Sequence, residues 1–131
     1  MKAVIYIEAI NEIQYTYENS LMKWMKSCFP THLYLDIDSK TDRSIINHIK
    51  KIVEDPAFEK LILIGTGKKN ATLGSITFLL NSFIKQKGKL YILLTTEHTF
   101  MQETFSKINR ENSFLEKDTQ LQKKILTNWL S

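Results

Sequence analysis

The chain has 131 residues, 43% hydrophobic and 24% charged, proportions ordinary for a soluble globular protein. Its net charge is +4, but no basic stripe with interleaved aromatic residues indicates nucleic-acid binding. No apolar run approaches the roughly 20 residues that span a bilayer. The one cysteine, Cys28, excludes an internal disulfide and reads as a small core residue. We therefore expect one cytoplasmic domain over residues 1–131, with neither a nucleic-acid partner nor an integral membrane segment.

The first quarter of the chain has two interpretations. The β-branched run Ala3–Ile7 predicts a strand. Ile13–Tyr17 alternates apolar and polar residues, which indicates a second strand, a hairpin, and then a helix over Ser20–Cys28. The alternative is one helix that starts near Asn11 and continues to Cys28. The segment 10–31 is therefore either hairpin or helix, and Pro30 ends whatever precedes it.

The middle of the chain alternates strand and helix patterns. The alternating segment His32–Asp38 predicts a strand with one polar face. Thr41 or Asp42 can cap the next helix, whose apolar stripe includes Ile45, Ile49 and Ile52. Two nearly all-apolar runs, Leu61–Ile64 and Leu90–Leu94, predict central strands.

The remaining helices complete an α/β pattern. We predict one helix over Ile76–Gln86, a second capped by Thr95 or Thr96, and a last one capped by Asp118 that buries Leu121 and Trp129. Strands that alternate with helices pair in parallel through right-handed crossovers. The expected fold is a mixed, largely parallel sheet of about four or five strands. Its helices lie mainly on one face, or, alternatively, on both faces of a doubly wound three-layer sheet.

The polar loop 65–75 between the first central strand and the following helix is the candidate site. A polar loop that feeds a helix start gathers free backbone N–H groups, which bind anions. We expect these amides to converge just ahead of Ile76. The ligand-binding or phosphate-binding residues predicted here are Gly65, Thr66, Gly67, Lys68, Lys69, Thr72, Gly74 and Ser75.

Known catalytic motifs do not fit this loop. Both the P-loop and the dinucleotide fingerprint require a glycine where the chain has Asn70. No aspartate follows Ile64, as a phosphoacceptor domain of the receiver type would need. The three histidines are far apart and lack metal-ligand spacing. We assign no catalytic residue, no metal and no cofactor.

The order of elements from residue 58 to 130 resembles the STAS domain of anti-sigma-factor antagonists and sulphate-transporter tails. In that family an apolar strand leads into a loop ending Asp-Ser-Ser/Thr-Gly-Leu. Here the equivalent is Ala71-Thr72-Leu73-Gly74-Ser75, followed by a helix, the strand Lys89–Leu94 and a closing helix ending at Trp129. The family aspartate is replaced by Ala71, and Thr72 is the hydroxyl that falls within the motif.

The resemblance implies a non-catalytic module that contacts a protein partner in bacterial signalling, with Thr72 as possible phosphoacceptor. The alternative role for Thr72 is a helix cap. The alternative function is a nucleotide- or phosphate-binding protein, or a small enzyme, on a doubly wound sheet. A homodimer joined through exposed Tyr15, Tyr17 and Trp24 is a third possibility.

Overall fold

The computed structural model describes residues 1–11 and 19–131, in which five parallel strands form one sheet. The strands are β1 (Lys2–Ala9), β2 (Leu33–Asp38), β3 (Lys60–Gly67), β4 (Leu90–Leu94) and β5 (Ser113–Leu115). The α-helices are α1 (Ser20–Cys28), α2 (Arg43–Glu54), α3 (Leu80–Lys85), α4 (Thr99–Ile108) and α5 (Thr119–Leu130). Short 3₁₀ helices occupy Gly74–Leu79, Lys87–Lys89 and Arg110–Asn112. The strand order across the sheet is β2–β1–β3–β4–β5.

Helices cover both faces of this sheet. On one face Val4 and Ile62 pack in a cluster with Met25 of α1 and Leu126 of α5. The cluster on the other face joins the sheet to the remaining helices and includes Ile5, Leu63, Ile49 of α2, Phe83 of α3 and Phe105 of α4. The structure is therefore a three-layer, doubly wound α/β fold.

The expected α/β class, with a largely parallel sheet of about four or five strands, is confirmed by five parallel strands, but the expectation that the helices lie mainly on one face is wrong. The physical reason is the composition of the central strands. Successive residues of β1 and β3 point to opposite faces, and both sets are apolar and buried. Two apolar faces need cover on both sides, which the alternative arrangement provides. The hairpin proposed for Ile13–Tyr17 falls on 12–18, outside the described residues.

Several side chains differ from their predicted environment. On α2 the buried residues are Ile46, Ile49 and Val53, so the inward stripe is rotated away from Ile45, which is half exposed. Leu121 of α5 is likewise exposed. Cys28, at the end of α1, is exposed rather than part of the core. None of the described helices combines the length and the hydropathy that a bilayer crossing requires.

The starts of α2, with Asp42 at the N-cap position, and of α5 agree with the sequence, and two other helix starts differ. Asp118 caps α5 as predicted, accepting a hydrogen bond from the Leu121 amide at 3.0 Å. The cap of α4 is His98 rather than Thr95 or Thr96. The helix predicted over Ile76–Gln86 instead begins as the 3₁₀ helix Gly74–Leu79 and becomes α3 only at Leu80.

Candidate functional site

The carboxyl ends of the strands form the edge at which the candidate loop lies. Strand β1 has β2 on one side and β3 on the other, so the direction of winding reverses between β1 and β3. Ligands of open α/β sheets bind in the crevice outside this reversal point, because the two loops there leave for opposite faces. The loop after β3 begins at Lys68, which places the predicted residues at this crevice.

Ser39 ties the second half of that loop to the end of β2. Its side chain is buried; the hydroxyl donates to the Thr72 carbonyl at 2.5 Å and accepts from the Ile10 amide at 2.9 Å. Its carbonyl accepts from the amide of Ser75 at 3.0 Å. The loop after β3 therefore crosses the end of β1 and is fixed on β2.

Gly74 makes this crossing possible. Its φ is +53°, a left-handed conformation that glycine adopts without the steric penalty of a side chain. A Cβ atom at this position would collide with the carbonyl group of Ser39. The predicted site residue Gly74 thus has a structural task, which is the close approach of the loop to β2.

His98 fixes the same loop from the other side. The imidazole is 2% exposed; its Nδ1 accepts from the Met101 amide at 3.2 Å as the cap of α4. Since Nδ1 accepts, Nε2 carries the proton and donates to the Ala71 carbonyl at 2.5 Å. The start of α4 and the middle of the loop are therefore joined through one neutral ring.

The predicted convergence of free amides ahead of Ile76 is wrong. The Thr72 amide donates to Asn11 Oδ1 at 3.1 Å, and the Gly74 amide donates to the Thr72 hydroxyl at 3.2 Å. The amides of Ala71 and Ile76 donate to carbonyls of the loop itself. Each of these amides has a hydrogen-bond acceptor within the protein. This pairing is needed because the loop packs onto the protein, where an amide without a hydrogen bond would cost free energy. An amide cradle for phosphate is not present in this half of the loop.

Thr72 and Ser75 serve this internal network. The exposed Thr72 hydroxyl accepts the Gly74 amide within the turn, but the N-cap position of the following 3₁₀ helix is Leu73 and no side chain caps that helix, so the alternative role of Thr72 as a helix cap is wrong. The Ser75 hydroxyl donates to the Ser39 carbonyl at 3.2 Å. Phosphorylation of Thr72 remains a prediction.

The end of β3 is held by β4. The Thr96 hydroxyl donates to the Gly67 carbonyl at 2.8 Å and accepts from the Gly67 amide at 2.9 Å. At Gly65 a Cβ atom would lie 2.8 Å from the Leu94 side chain and 3.1 Å from the Met101 sulfur. Contacts with other parts of the chain thus hold Gly65 and Gly67, as they hold the second half of the loop.

Between these anchors Lys68, Lys69 and Asn70 form an exposed arch. Within the described ranges 1–11 and 19–131, neither lysine has a carboxylate within salt-bridge distance. The pKa of Glu97 is lowered, mainly by its hydrogen bond and charge attraction to Lys117. The positive charge of Lys69 makes a smaller contribution in the same direction. The arch is the part of the predicted site whose charges remain available.

A polar cluster lies at the same edge on the α1/α5 face. The Tyr6 hydroxyl accepts from Asn19 Nδ2 at 2.6 Å; its pKa is raised, mainly by burial and also by the charge of Glu8, against hydrogen bonds with Asn19 and Thr66. Glu8 lies opposite Asp38 of β2 and Thr66 of β3 in the strand registers. Burial raises the pKa of Glu8, and the Asp38 carboxylate raises it further. Thr66 is thus the predicted site residue that faces a second set of polar groups.

A groove runs from the arch to α4. Its volume is about 240 Å³, and its lining comprises Lys69, Asn70, Ala71, His98, Thr99, Phe100 and Glu103. No local pattern in the sequence indicates this groove, the contact of Ser39 with Thr72 or the contact of His98 with Ala71, because these two contacts join residues 33 and 27 positions apart. For Ser39 the available signal was a small polar residue directly after the predicted strand His32–Asp38.

The described part of the chain contains no group of three or more histidine, cysteine or acidic side chains placed to hold a metal ion. The STAS resemblance rests on the order of elements and on the motif around Thr72. Comparisons of the chain with protein-family models, with curated proteins and with solved structures found no match.

Proposed function

We propose that this protein binds a small phosphate-bearing ligand at the carboxyl edge of its sheet, with Lys68 and Lys69 as the anion-binding residues. One observation carries the proposal: these two lysines, which form no ion pair with any residue that the structure describes, follow β3 directly, next to the point where the winding reverses. A doubly wound sheet uses that crevice for ligands. The ligand contacts are side chains of the arch rather than the amides of the second half of the loop.

The rigid anchoring of the arch favours binding. Gly67 is held by Thr96 before the arch, and Ala71 is held by His98 after it. A loop already ordered in the free protein loses less conformational entropy when a ligand arrives. The attraction between the two lysines and the anionic ligand also favours binding, and this attraction weakens as the salt concentration rises.

The test is binding of pyrophosphate by calorimetry and by thermal shift. Wild-type protein should bind with an affinity that falls as salt rises, and its melting temperature should rise with pyrophosphate concentration. The double variant Lys68→Ala/Lys69→Ala should lose about tenfold or more in affinity, which is ~1.4 kcal/mol. Its stability without ligand should change by less than about 0.5 kcal/mol, because both side chains are exposed.

The matched control is Lys50→Ala/Lys51→Ala, an exposed pair on α2. Equal losses of pyrophosphate affinity in both double variants would show that the effect depends on net charge rather than on the position of Lys68 and Lys69. A wild-type protein that binds neither pyrophosphate nor any phosphorylated metabolite in a panel would end the proposal.

A second candidate is the non-catalytic, STAS-like module that contacts a protein partner, and the observation that favours it is the network around Thr72. This exposed residue sits on a pre-ordered corner, a suitable surface for a partner. Thr72→Glu should change affinity for a partner recovered by pull-down, with Thr77→Glu on the neighbouring exposed turn as control. Unchanged binding by Thr72→Glu would remove Thr72 from this account.

Two further expectations belong with these proposals. An exposed single thiol at Cys28 is compatible with a reducing, cytoplasmic setting. For the homodimer, Tyr15 and Tyr17 lie outside the described residues, and Trp24 is half-buried against Phe29 and Lys123. Light scattering after size exclusion tests that third possibility.

A further inference from the structure

The groove between the arch and α4 is small. Its volume is about 240 Å³. Pockets for whole drug-sized ligands are larger, roughly 300–1,000 Å³. A ligand that uses the groove must therefore leave its remaining part outside, and Lys69, which belongs to both groove and arch, marks where that part continues.

Phe100 gives this groove an open aromatic surface. The residue is 47% exposed, and no ring or cation of the described residues stacks on it. Phe78 is equally exposed at 47%, but the Arg43 guanidinium covers its face at 3.6 Å from the ring centre. Two phenylalanines of equal exposure thus differ in whether a ligand can stack on them.

We propose that the groove holds the base of a nucleotide whose phosphates lie on Lys68 and Lys69. This inference rests on the proposed phosphate-binding function and names its ligand class. A base stacks on aromatic side chains through its π-face. Asn70 and Glu103 place an amide and a carboxylate on the groove wall, groups that can bond to base edges. The phosphates of the nucleotide would lie at the end of the groove that Lys69 lines, because its positive charge attracts them.

The experiment compares adenosine diphosphate with pyrophosphate by calorimetry on the full chain. Wild-type protein should bind the nucleotide about tenfold more tightly than pyrophosphate, the gain expected from stacking. Phe100→Ala should abolish this preference while its affinity for pyrophosphate stays unchanged. The control Phe78→Ala should keep the preference, and Lys68→Ala/Lys69→Ala should weaken both probes.

The outcomes separate the two proposals. If pyrophosphate binds and the nucleotide is no tighter, or if Phe100→Ala leaves the preference intact, the base site is wrong while phosphate binding stands. If wild-type protein binds neither probe, the base site is wrong, and if a panel of phosphorylated metabolites also shows no binding, phosphate binding itself is wrong. Circular dichroism of Phe100→Ala, expected to match wild type because the ring is half exposed, shows that the comparison concerns folded protein.

Discussion

The two halves of the loop after β3 have opposite environments. In the second half, from Ala71 to Ser75, hydrogen bonds to β1, β2 and α4 hold the chain. In the first half, Lys68, Lys69 and Asn70 stand in solvent. The difference shows that a polar loop at a strand end is not one functional unit. The internal network of one half fixes the position at which the other half presents its charges.

The largest expected effect is that of Gly74→Ala, in the second half. Alanine would have to adopt a left-handed conformation, which costs roughly 1–2 kcal/mol, and its Cβ would strike the Ser39 carbonyl. We expect a total loss of about 3 kcal/mol in the free energy of unfolding, measured by urea denaturation. The control is Gly88→Ala, where a Cβ atom would meet nothing within 4 Å. Equal stability of the two variants would contradict the close crossing of the loop over β1.

Removal of the Ser39 hydroxyl should have the next largest effect. Ser39→Ala leaves the buried Ile10 amide and Thr72 carbonyl without their partner. An unsatisfied buried group costs about 1–3 kcal/mol, so we expect a loss in that range. Ser44→Ala, which removes an exposed hydroxyl on α2, should stay near wild type in the same denaturation experiment. A Ser39→Ala protein as stable as Ser44→Ala would show that the loop is not fixed at β2.

His98→Asn separates the two tasks of the imidazole. Asparagine is a good helix cap and can still accept the Met101 amide, but its shorter side chain does not reach the Ala71 carbonyl. We expect a loss of about 1–2 kcal/mol, because the carbonyl of buried Ala71 loses its hydrogen-bond partner. Hydrogen exchange should become faster in a peptide covering 68–73 and stay unchanged in the middle of α4. Exchange that is faster in α4 alone would assign His98 to the helix rather than to the loop.

The smallest expected effect concerns Glu8, across the same edge. The pKa of Glu8 is raised in the folded protein, so folding favours its protonated form, and ionisation costs stability as pH rises from the unfolded pKa through the folded one. Glu8→Gln should therefore raise the melting temperature slightly at neutral pH. The difference should shrink as the pH falls below about 4, where the carboxyl becomes protonated in both states. Asp36→Gln, at an exposed position of β2, is the control. If the difference in melting temperature between Glu8→Gln and wild type grew in acid, the pKa of Glu8 would be lowered, not raised, in the folded protein.

The sequence predicted those parts of the molecule that depend on local pattern. Apolar runs located β3 and β4, and the strand-helix alternation predicted parallel pairing. Which faces the helices cover depended on packing between distant segments, and the one-face expectation failed there. In the candidate site, composition located the loop, but it could not show that the amides near Thr72 were already engaged. The acceptor of the Thr72 amide, Asn11, lies 61 positions away in the chain.

The position of β1 in the sheet also bears on biosynthesis. The ribosome completes β1 at Ala9, yet one of its two neighbours, β3, ends only at Gly67. A nascent chain shorter than this carries the first strand with one apolar edge unpaired, a state prone to aggregation. Translation pauses that occur before β3 has left the ribosome should therefore lower the yield of native protein more than pauses that occur after it.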